Sequence, residues 1–247
     1  MKYIEYGKEN KDVIILLHGG GLSWWNYKEV AEKLSDNYHI VLPILDGHAG
    51  SDDDFVSIED NAKKIINFID EKFGGKVLLI GGLSLGGQIL LEIMTQRIDI
   101  SQYALIESAL VIPSKLTYFM VKPAFGSCYG LIKYKWFAKL QFKYLRIKPD
   151  LFDDYYKDTC YISKKNMIAF LEANSMYTLK NAIKDTKVKV YIFNGEKEIK
   201  SIKKSSKLIN EKILGSTLNV LPKLYHGEFS INYPMKYVDE ILKIINQ

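Results

Sequence analysis

A serine flanked by glycines is the strongest sign of chemistry in this sequence. Gly82, Ser84 and Gly86 form a Gly-x-Ser-x-Gly motif that directly follows an apolar run at residues 77–80. The run is too short for a helix and rich in branched residues, which predicts a buried parallel strand, and the apolar residues after the motif recur at helical spacing. Ser84 is therefore expected on a sharp turn, where the positive end of the helix dipole would stabilise an anionic intermediate beside its hydroxyl.

Two further motifs follow predicted strands earlier in the chain. The run at residues 13–17 leads into a His-Gly-Gly-Gly motif at residues 18–21, and the run at residues 39–43 leads into an Asp-Gly-His motif at residues 46–48. With the Ser84 turn, these motifs occur in the order and spacing of the α/β-hydrolase superfamily, which the sequence resembles. The resemblance implies an α/β fold with a mostly parallel central sheet and helices on both faces.

The resemblance also divides the chain into two parts. It covers most of residues 1–112 and 186–247, which are expected to form the α/β-hydrolase core. Residues 113–185 contain no buried-strand run and many aromatic residues, and they occur where the family carries a helical cap over its active site. The sequence therefore predicts a helical cap at residues 113–185 that is inserted into the core.

The glycine-rich loop at residues 18–21 resembles the oxyanion loop of lipases and esterases. The resemblance implies that the backbone N–H groups of Gly20 and Leu85 form the oxyanion hole, because they would face the reacting carbonyl from the loop and from the start of the helix. It also implies that His18 holds the loop rather than reacts. Gly21 and Trp24, which follow the loop donor, are expected to contact the substrate.

Chain order selects the general base. The α/β-hydrolase superfamily places its nucleophile first, its acid second and its histidine last. The sequence has four histidines, and His226 is the one that lies after Ser84. It also follows a predicted core strand and precedes a glycine. The resemblance therefore assigns His226 as the catalytic base.

The acid is marked less clearly than the serine and the histidine. Glu198 follows the predicted strand at residues 188–193 and occupies the position where the family has an aspartate, a role that a glutamate can also fill. Glu107, after the preceding core strand, stands at an alternative acid position of some family members. Glu228 is a third candidate, but it lies two residues beyond His226. At that short separation it is difficult for the carboxylate to reach Nδ1 while Nε2 faces Ser84. Glu198 is the favoured acid.

These residues predict a serine hydrolase that acts through an acyl-enzyme intermediate. Serine is a poor nucleophile at its ordinary pKa, so a histidine must take its proton during the attack. A small-molecule carboxylic ester or thioester is the expected substrate, and no metal or organic cofactor is required. Hydrolysis of a C–C bond, an amide or a lipid, perhydrolysis, and a catalytically silent ligand-binding role of the fold remain alternatives.

Composition argues against several other classes of protein. The net charge of +5 over 247 residues is too small to indicate nucleic-acid binding, and no apolar run approaches the ~18 residues that a transmembrane helix needs. The N-terminal residues contain no apolar signal core. Cys128 and Cys160 have neither metal-binding nor disulfide-framework spacing, so we expect a cytoplasmic protein without a bound metal. The composition does not indicate an oligomeric state.

The first half of the predicted cap is strongly basic. Between Ser114 and Pro149 there are eight basic residues and no acidic residue. The basic residues are Lys115, Lys122, Lys133, Lys135, Lys139, Lys143, Arg146 and Lys148. One interpretation is a set of amphipathic helices whose lysines are simply solvated. The other is a basic face that attracts an anionic substrate or makes peripheral contact with an acidic lipid surface.

Overall fold

Seven β-strands form one sheet at the centre of the molecule, and the computed structural model describes the whole chain, residues 1–247. The strands are β1 (Tyr3–Tyr6), β2 (Val13–Leu17), β3 (His39–Pro43), β4 (Val77–Leu83), β5 (Ser101–Glu107), β6 (Lys189–Gly195) and β7 (Thr217–Leu221). Their order is β1-β3-β2-β4-β5-β6-β7. All neighbours are parallel except β1 and β3, so the one antiparallel strand lies at an edge.

The central strands are buried on both faces because their sequences are continuous apolar runs. In β2, Ile15 and Leu17 join one hydrophobic cluster, whereas Ile14 and Leu16 join the other. Successive side chains of a strand point to opposite faces, so a single run contributes to both clusters. Parallel strands also end at the same edge of the sheet, which brings the residues that follow them together.

Ten α-helices surround the sheet. They are α1 (Lys28–Leu34), α2 (Ile58–Phe73), α3 (Leu85–Gln96), α4 (Lys115–Cys128), α5 (Lys135–Leu145), α6 (Phe152–Tyr161), α7 (Lys164–Met176), α8 (Lys200–Lys212), α9 (Glu228–Asn232) and α10 (Pro234–Ile245). Helices α2, α3 and α8 bury their apolar residues in one cluster, and α1 and α10 bury theirs in the other. The two clusters therefore lie on opposite faces of the sheet.

Helices α4 to α7 form an insertion between β5 and β6. Three 3-10 helices accompany them, at Tyr129–Lys133, Pro149–Leu151 and Asn181–Asp185. The Ser114 N–H donates to the Ser175 carbonyl at 2.8 Å, which ties the start of the insertion to the end of α7. The structure confirms the predicted fold class, a mostly parallel sheet with helices on both faces and a helical insertion.

The helices also bear on the question of a membrane span. None of the ten is both long enough and apolar enough to cross a bilayer.

Candidate active site

Ser84 lies on the sharp turn between β4 and α3. Its backbone has φ 52° and ψ −109°, a conformation that residues with side chains rarely adopt and that costs free energy. The Ser84 N–H donates to the Glu107 carbonyl at 2.8 Å, and the Ser84 carbonyl accepts from the Gln88 N–H at 3.0 Å. These bonds to the neighbouring strand and to the helix hold the strained residue at the carboxyl edge of the sheet.

Gly82 and Gly86 permit this turn for a steric reason. A Cβ on Gly82 would collide with the carbonyl oxygen of Gly86, and a Cβ on Gly86 would collide with the carbonyl oxygen of Leu17 at the end of β2. Both obstacles are backbone atoms, which cannot move without moving a strand or a helix. The two glycines are therefore required by the close approach of β2, β4 and α3.

The structure brings Ser84, His226 and Glu198 into one chain of hydrogen bonds. His226 Nε2 lies 3.1 Å from Ser84 Oγ, and His226 Nδ1 lies 3.0 Å from Glu198 Oε2. The three residues come after β4, β7 and β6, whose carboxyl ends meet at one edge of the sheet. This geometry suits a histidine that takes the serine proton on one nitrogen while the carboxylate holds the other.

Ser108 is a fourth member of this chain that the sequence analysis missed. Its hydroxyl donates to Glu198 Oε1, so both oxygens of the buried carboxylate have a partner. Ser108 directly follows β5 and has φ 56°, a left-handed backbone that turns the chain at the strand end. A serine after a strand belongs to no recognisable motif. The available signal was its position next to Glu107, the alternative acid.

Desolvation and charge act in opposite directions on His226. Neighbouring protein atoms partly desolvate the imidazole, which lowers its pKa, although 46% of the side chain remains exposed. The hydrogen bond to Glu198 and the negative charges of Glu198 and Glu107 outweigh this effect and raise the pKa above the ordinary value of 6.5. The imidazolium is thereby stabilised, and the exposed side of the ring leaves the site open to molecules from solution.

The two alternative acids form no hydrogen bond with His226. Glu107 Oε1 accepts from the Ser230 N–H at 3.4 Å. Burial raises the pKa of Glu107 to about 7, although the hydrogen bonds from Ser230 and the charge of His226 oppose the rise. Glu228 Oε2 accepts from the Tyr225 N–H at 2.8 Å, at the start of α9. Of the three carboxylates, the one that bonds to the His226 ring belongs to Glu198.

The predicted oxyanion donors, the backbone N–H groups of Gly20 and Leu85, belong to neighbouring segments. Leu85 is the first residue of α3, and the first amides of a helix have no partner within it. Gly20 packs close by, since a Cβ on Gly20 would lie 3.5 Å from Leu85 Cδ2. The Gly20 N–H donates to no acceptor in the protein, whereas the Gly21 N–H donates to His48 Nε2 at 3.1 Å. Of these two glycines, Gly20 has the free donor.

His18 and His48 hold the loops behind this donor. His18 Nδ1 bonds to the Gly19 carbonyl at 2.9 Å, and its Nε2 accepts from the Leu45 N–H at 3.1 Å. His48 Nδ1 bonds to the Asp46 carbonyl at 3.0 Å. Burial lowers the pKa of His18 to about 3 and that of His48 to about 4, so both rings are neutral and donate from Nδ1. Neither is placed to act on Ser84.

The insertion reaches the oxyanion loop through Phe170 of α7. The Phe170 ring stacks on His48 with the ring centroids 4.6 Å apart, and its edge lies 3.5 Å from where a Cβ on Gly20 would be. The sequence analysis missed this contact because helical spacing predicts an apolar face without showing what it packs against. The insertion therefore lies beside the proposed oxyanion donor.

Gly21 and Trp24 lie at the side of the site. Gly21 has φ 75° and open space where a Cβ would stand. Trp24 lines a surface cleft together with His48 and Asp158, and this cleft includes none of the three side chains that are hydrogen-bonded to one another. Substrate contact by Gly21 and Trp24 stays a prediction.

The acidic, histidine and cysteine side chains do not gather into a metal-ligand set. No group of three or more of them is arranged to hold a metal ion, and Cys128 and Cys160 are free thiols. The residues around Ser84 instead offer a hydroxyl, an imidazole, a carboxylate and backbone N–H donors.

Solved structures with the same fold cover almost the whole chain. A bromoperoxidase from Bacillus anthracis superposes with a TM-score of 0.83 at 15% sequence identity, over 99% of this chain and 95% of that chain. The enol-lactonase from Burkholderia xenovorans LB400 superposes with a TM-score of 0.82 at 14% identity, over 100% of this chain and 96% of that chain. A malate-bound thermophilic esterase from Thermogutta terrifontis superposes with a TM-score of 0.79 at 15% identity, over 99% of this chain and 92% of that chain. At such low identities the similarity establishes the fold and not the reaction.

Sequence comparison identifies the family. No curated protein matches the sequence significantly. The model of the alpha/beta hydrolase family matches residues 14–199, about three quarters of the chain. The matched segment contains the glycine-rich loop, the Ser84 turn, the helical insertion and Glu198. With the sheet order described above, this match shows that the chain belongs to the alpha/beta hydrolase family.

Proposed function

We propose that this protein is a serine hydrolase that cleaves a small-molecule carboxylic ester or thioester. The observation that carries the proposal is the hydrogen-bonded chain from Ser84 through His226 to Glu198, with distances of 3.1 and 3.0 Å. Such a chain activates a serine hydroxyl, which is otherwise protonated and weakly nucleophilic. Family membership supports a hydrolase but does not name the bond that is cleaved.

In the proposed acylation step, Ser84 Oγ attacks the carbonyl carbon of the substrate while its proton passes to His226 Nε2. The carbonyl electrons move to oxygen, and a tetrahedral oxyanion forms. Glu198 stays ionised, accepts the Nδ1–H of the ring and stabilises the imidazolium. The Ser108 hydroxyl keeps the carboxylate in the orientation that this requires.

The backbone N–H groups of Gly20 and Leu85 are the proposed donors to the oxyanion. In comparable sites each such donor contributes roughly 3–4 kcal/mol to stabilisation of the transition state. The N-terminus of α3 adds a partial positive charge at the same place. The intermediate then collapses, the bond to the alcohol or thiol breaks, and the leaving group takes the proton from His226 Nε2.

Deacylation repeats these events with water as the nucleophile. His226 Nε2 takes a proton from the water as its oxygen attacks the acyl carbon, and it returns that proton to Ser84 Oγ when the acid leaves. The exposed side of the His226 ring gives water access to Nε2. Apart from the substrate and this water, every group in the proposed steps belongs to the chain.

Related reactions could begin with the same activated serine. The structural neighbours are named as an esterase, an enol-lactonase and a bromoperoxidase, and those names describe those proteins. Hydrolysis of an amide or a C–C bond and perhydrolysis therefore form the comparison set for the ester proposal. A silent ligand-binding role would retain the fold without reaction at Ser84.

Covalent labelling and a substrate panel test the proposal together. A fluorophosphonate probe should label the wild-type protein at Ser84, and the Ser84→Ala variant should not be labelled. A folded wild-type protein that resists the probe would favour the silent ligand-binding role. The panel should contain acyl esters and thioesters of several chain lengths beside amides and lactones. Turnover of amides alone would leave the nucleophile assigned and overturn the ester assignment.

A further inference from the structure

The outer face of α5 carries a row of apolar side chains. Trp136, Leu140 and Tyr144 recur every four residues, and 62%, 61% and 86% of their respective surfaces are exposed. Residues four apart lie on one side of a helix, so the row runs for roughly 12 Å along the axis. Large apolar groups that are exposed in a continuous row mark a surface that contacts something outside the molecule.

A row of lysines lies directly beside the apolar row. Lys135, Lys139 and Lys143 each precede a member of that row by one position, which places them about 100° around the helix. All three lysines are exposed and form no ion pair within the protein. Lys135 Nζ and Lys139 Nζ lie 5.6 and 5.9 Å from the ring centroids of Tyr156 and Phe152. These rings carry no charge, so no carboxylate of the protein neutralises the three lysines.

The outer face of α4 adds further apolar surface. Leu116, Phe119 and Met120 are each more than half exposed, and α4 fully buries a single residue, Val121. Helices α4 and α5 both pack against the 3-10 helix Tyr129–Lys133 that joins them. A helix that buries so little and exposes so much leaves an unpartnered apolar face.

The segment that carries these apolar groups has charge of one sign, whereas exposed acids such as Asp153 and Asp154 lie on α6. Eight basic residues and no acidic residue lie between Ser114 and Pro149, and of the eight only Lys122 and Lys148 form ion pairs. We propose that this surface, the cap face, docks on an anionic lipid bilayer. The cap face consists of Leu116, Phe119, Met120, Trp136, Leu140, Tyr144, Lys135, Lys139 and Lys143. Its apolar side chains enter the headgroup boundary while its lysines contact lipid phosphates.

A bilayer matches the cap face better than a protein does. A bilayer presents negative headgroups above an apolar layer, so it satisfies both rows of α5 along their whole length. Tryptophan and tyrosine suit this boundary because each has an apolar ring and a polar edge. A second copy of the chain would bring an equally basic cap face, and like charges placed opposite each other are repelled.

The C-terminal end of α5 lies beside the candidate active site. The guanidinium of Arg146 stacks 3.7 Å from the ring centroid of Tyr225, which immediately precedes His226. The Arg146 carbonyl accepts from the Asn232 side chain at 2.6 Å, which ties the same end to α9. Docking through α5 would therefore bring the site close to the lipid surface. The docking proposal does not depend on hydrolysis at Ser84.

Vesicle sedimentation of the full chain tests the proposal. The Ser84→Ala variant is used throughout, so that the result does not depend on any reaction at the site. It should bind vesicles of equal parts phosphatidylcholine and phosphatidylglycerol, bind pure phosphatidylcholine vesicles weakly, and lose affinity as salt is added. The triple variant Lys135→Gln, Lys139→Gln, Lys143→Gln should lower the partition coefficient roughly 100-fold, since each basic residue at an anionic surface contributes about fivefold.

Two further variants provide matched controls. Lys200→Gln, Lys204→Gln and Lys207→Gln remove the same charge from exposed lysines of α8 and should change partitioning less than about threefold, because distant charges are screened. Trp136→Ser with Leu140→Ser keeps the charge and should reduce partitioning at least ~10-fold through lost apolar burial. Each set of substitutions in the wild-type background should leave the melting temperature and the hydrolysis of a water-soluble ester unchanged.

Three results would overturn the proposal. The first is no binding to anionic vesicles at low salt. The second is an equal loss of binding from the α5 and α8 lysine variants, which would place the effect in net charge rather than in the cap face. The third is a dimer in sedimentation velocity that dissociates when Trp136 and Leu140 are replaced by serine, since a second copy would then occupy the face.

Discussion

Charge is buried and hydrogen-bonded at the sheet edge, whereas it is exposed and without a carboxylate partner on the cap face. At the sheet edge the Glu198 carboxylate is buried, and its two oxygens are bonded to His226 and Ser108. On the cap face the ammonium groups of Lys135 and Lys139 are exposed and have no carboxylate partner. A buried charge is tolerated where the fold supplies its partners, whereas an exposed charge needs none and stays available to outside molecules.

Packing follows the same division. Ser84 and Ser108 have positive φ, and hydrogen bonds to the neighbouring strands hold both backbones in place. In contrast, α4 and α5 bury one and two residues respectively, and most of their other side chains are exposed. Substitutions at the sheet edge should therefore change the chemical step, in proportion to how directly they touch Ser84. Substitutions on the cap face should leave that step intact.

The largest effect is expected for Ser84→Ala. The variant removes the atom proposed to bond to the acyl group, so kcat for ester hydrolysis should fall by at least ~10⁴. The melting temperature should change little. His226→Ala should behave alike, and the double variant should be little worse than either single variant, because the three residues act as a unit. Losses that add up in the double variant would contradict a shared role.

Glu198→Gln should have the next largest effect, a loss of at least ~10² in kcat, since glutamine keeps the size but lacks the charge that stabilises the imidazolium. Activity requires neutral His226, so kcat/KM of the wild type should rise with pH through a pKa above 6.5. Glu198 provides most of that upward shift, so the rise should move to lower pH in the variant. An unchanged pH profile of kcat/KM would remove Glu198 from this role.

Ser108→Ala should have a smaller effect, about 10-fold in kcat/KM, because it leaves Glu198 Oε1 buried without its donor while the bond from His226 to Oε2 remains. In combination with Glu198→Gln the loss should be less than additive, since both act through the same carboxylate. Ser114→Ala is the matched control on the insertion. It removes the N-cap of α4 and should lower the melting temperature without changing kcat.

Glu107→Gln should have the smallest catalytic effect, less than ~10-fold in kcat, because Glu107 forms no hydrogen bond with His226. Its effect on stability should depend on pH. Below the ordinary pKa of 4.5, the Glu107 carboxyl is protonated in both the native and the unfolded state. Between pH 4.5 and the native pKa of about 7, the unfolded chain releases this proton while the native state keeps it, and this lowers the free energy of unfolding. Above that pKa the variant should therefore melt several degrees higher than the wild type, since ~1 kcal/mol corresponds to roughly 2–4 °C.

The opposite outcome for the two glutamate variants would change the assignment of the catalytic acid. A large catalytic loss in Glu107→Gln together with a small loss in Glu198→Gln would assign the role to the end of β5. Equal melting temperatures of Glu107→Gln and wild type at alkaline and acidic pH would mean that Glu107 is not penalised by burial.

The sequence by itself determined the fold and two members of the candidate site. Buried parallel strands and amphipathic helices are encoded in local periodicity, so β2, β4 and the helices between the strands were predictable, and the structure confirms this architecture. Ser84 was predictable from the glycines on either side and His226 from its place in the chain. The structure puts their reacting atoms 3.1 Å apart.

Only the tertiary structure decided which carboxylate faces His226. Glu107 and Glu198 both follow core strands, and the sequence favoured Glu198 only through the family position that it occupies. The packing places Glu198 Oε2 3.0 Å from His226 Nδ1 and turns Glu107 towards Ser230. Likewise, Ser108 reaches Glu198 across 90 residues of chain. The local sequence pattern shows which face of a helix or strand is buried. The hydrogen-bond partner of a single side-chain oxygen depends instead on the strand order and on the backbone turns at the strand ends.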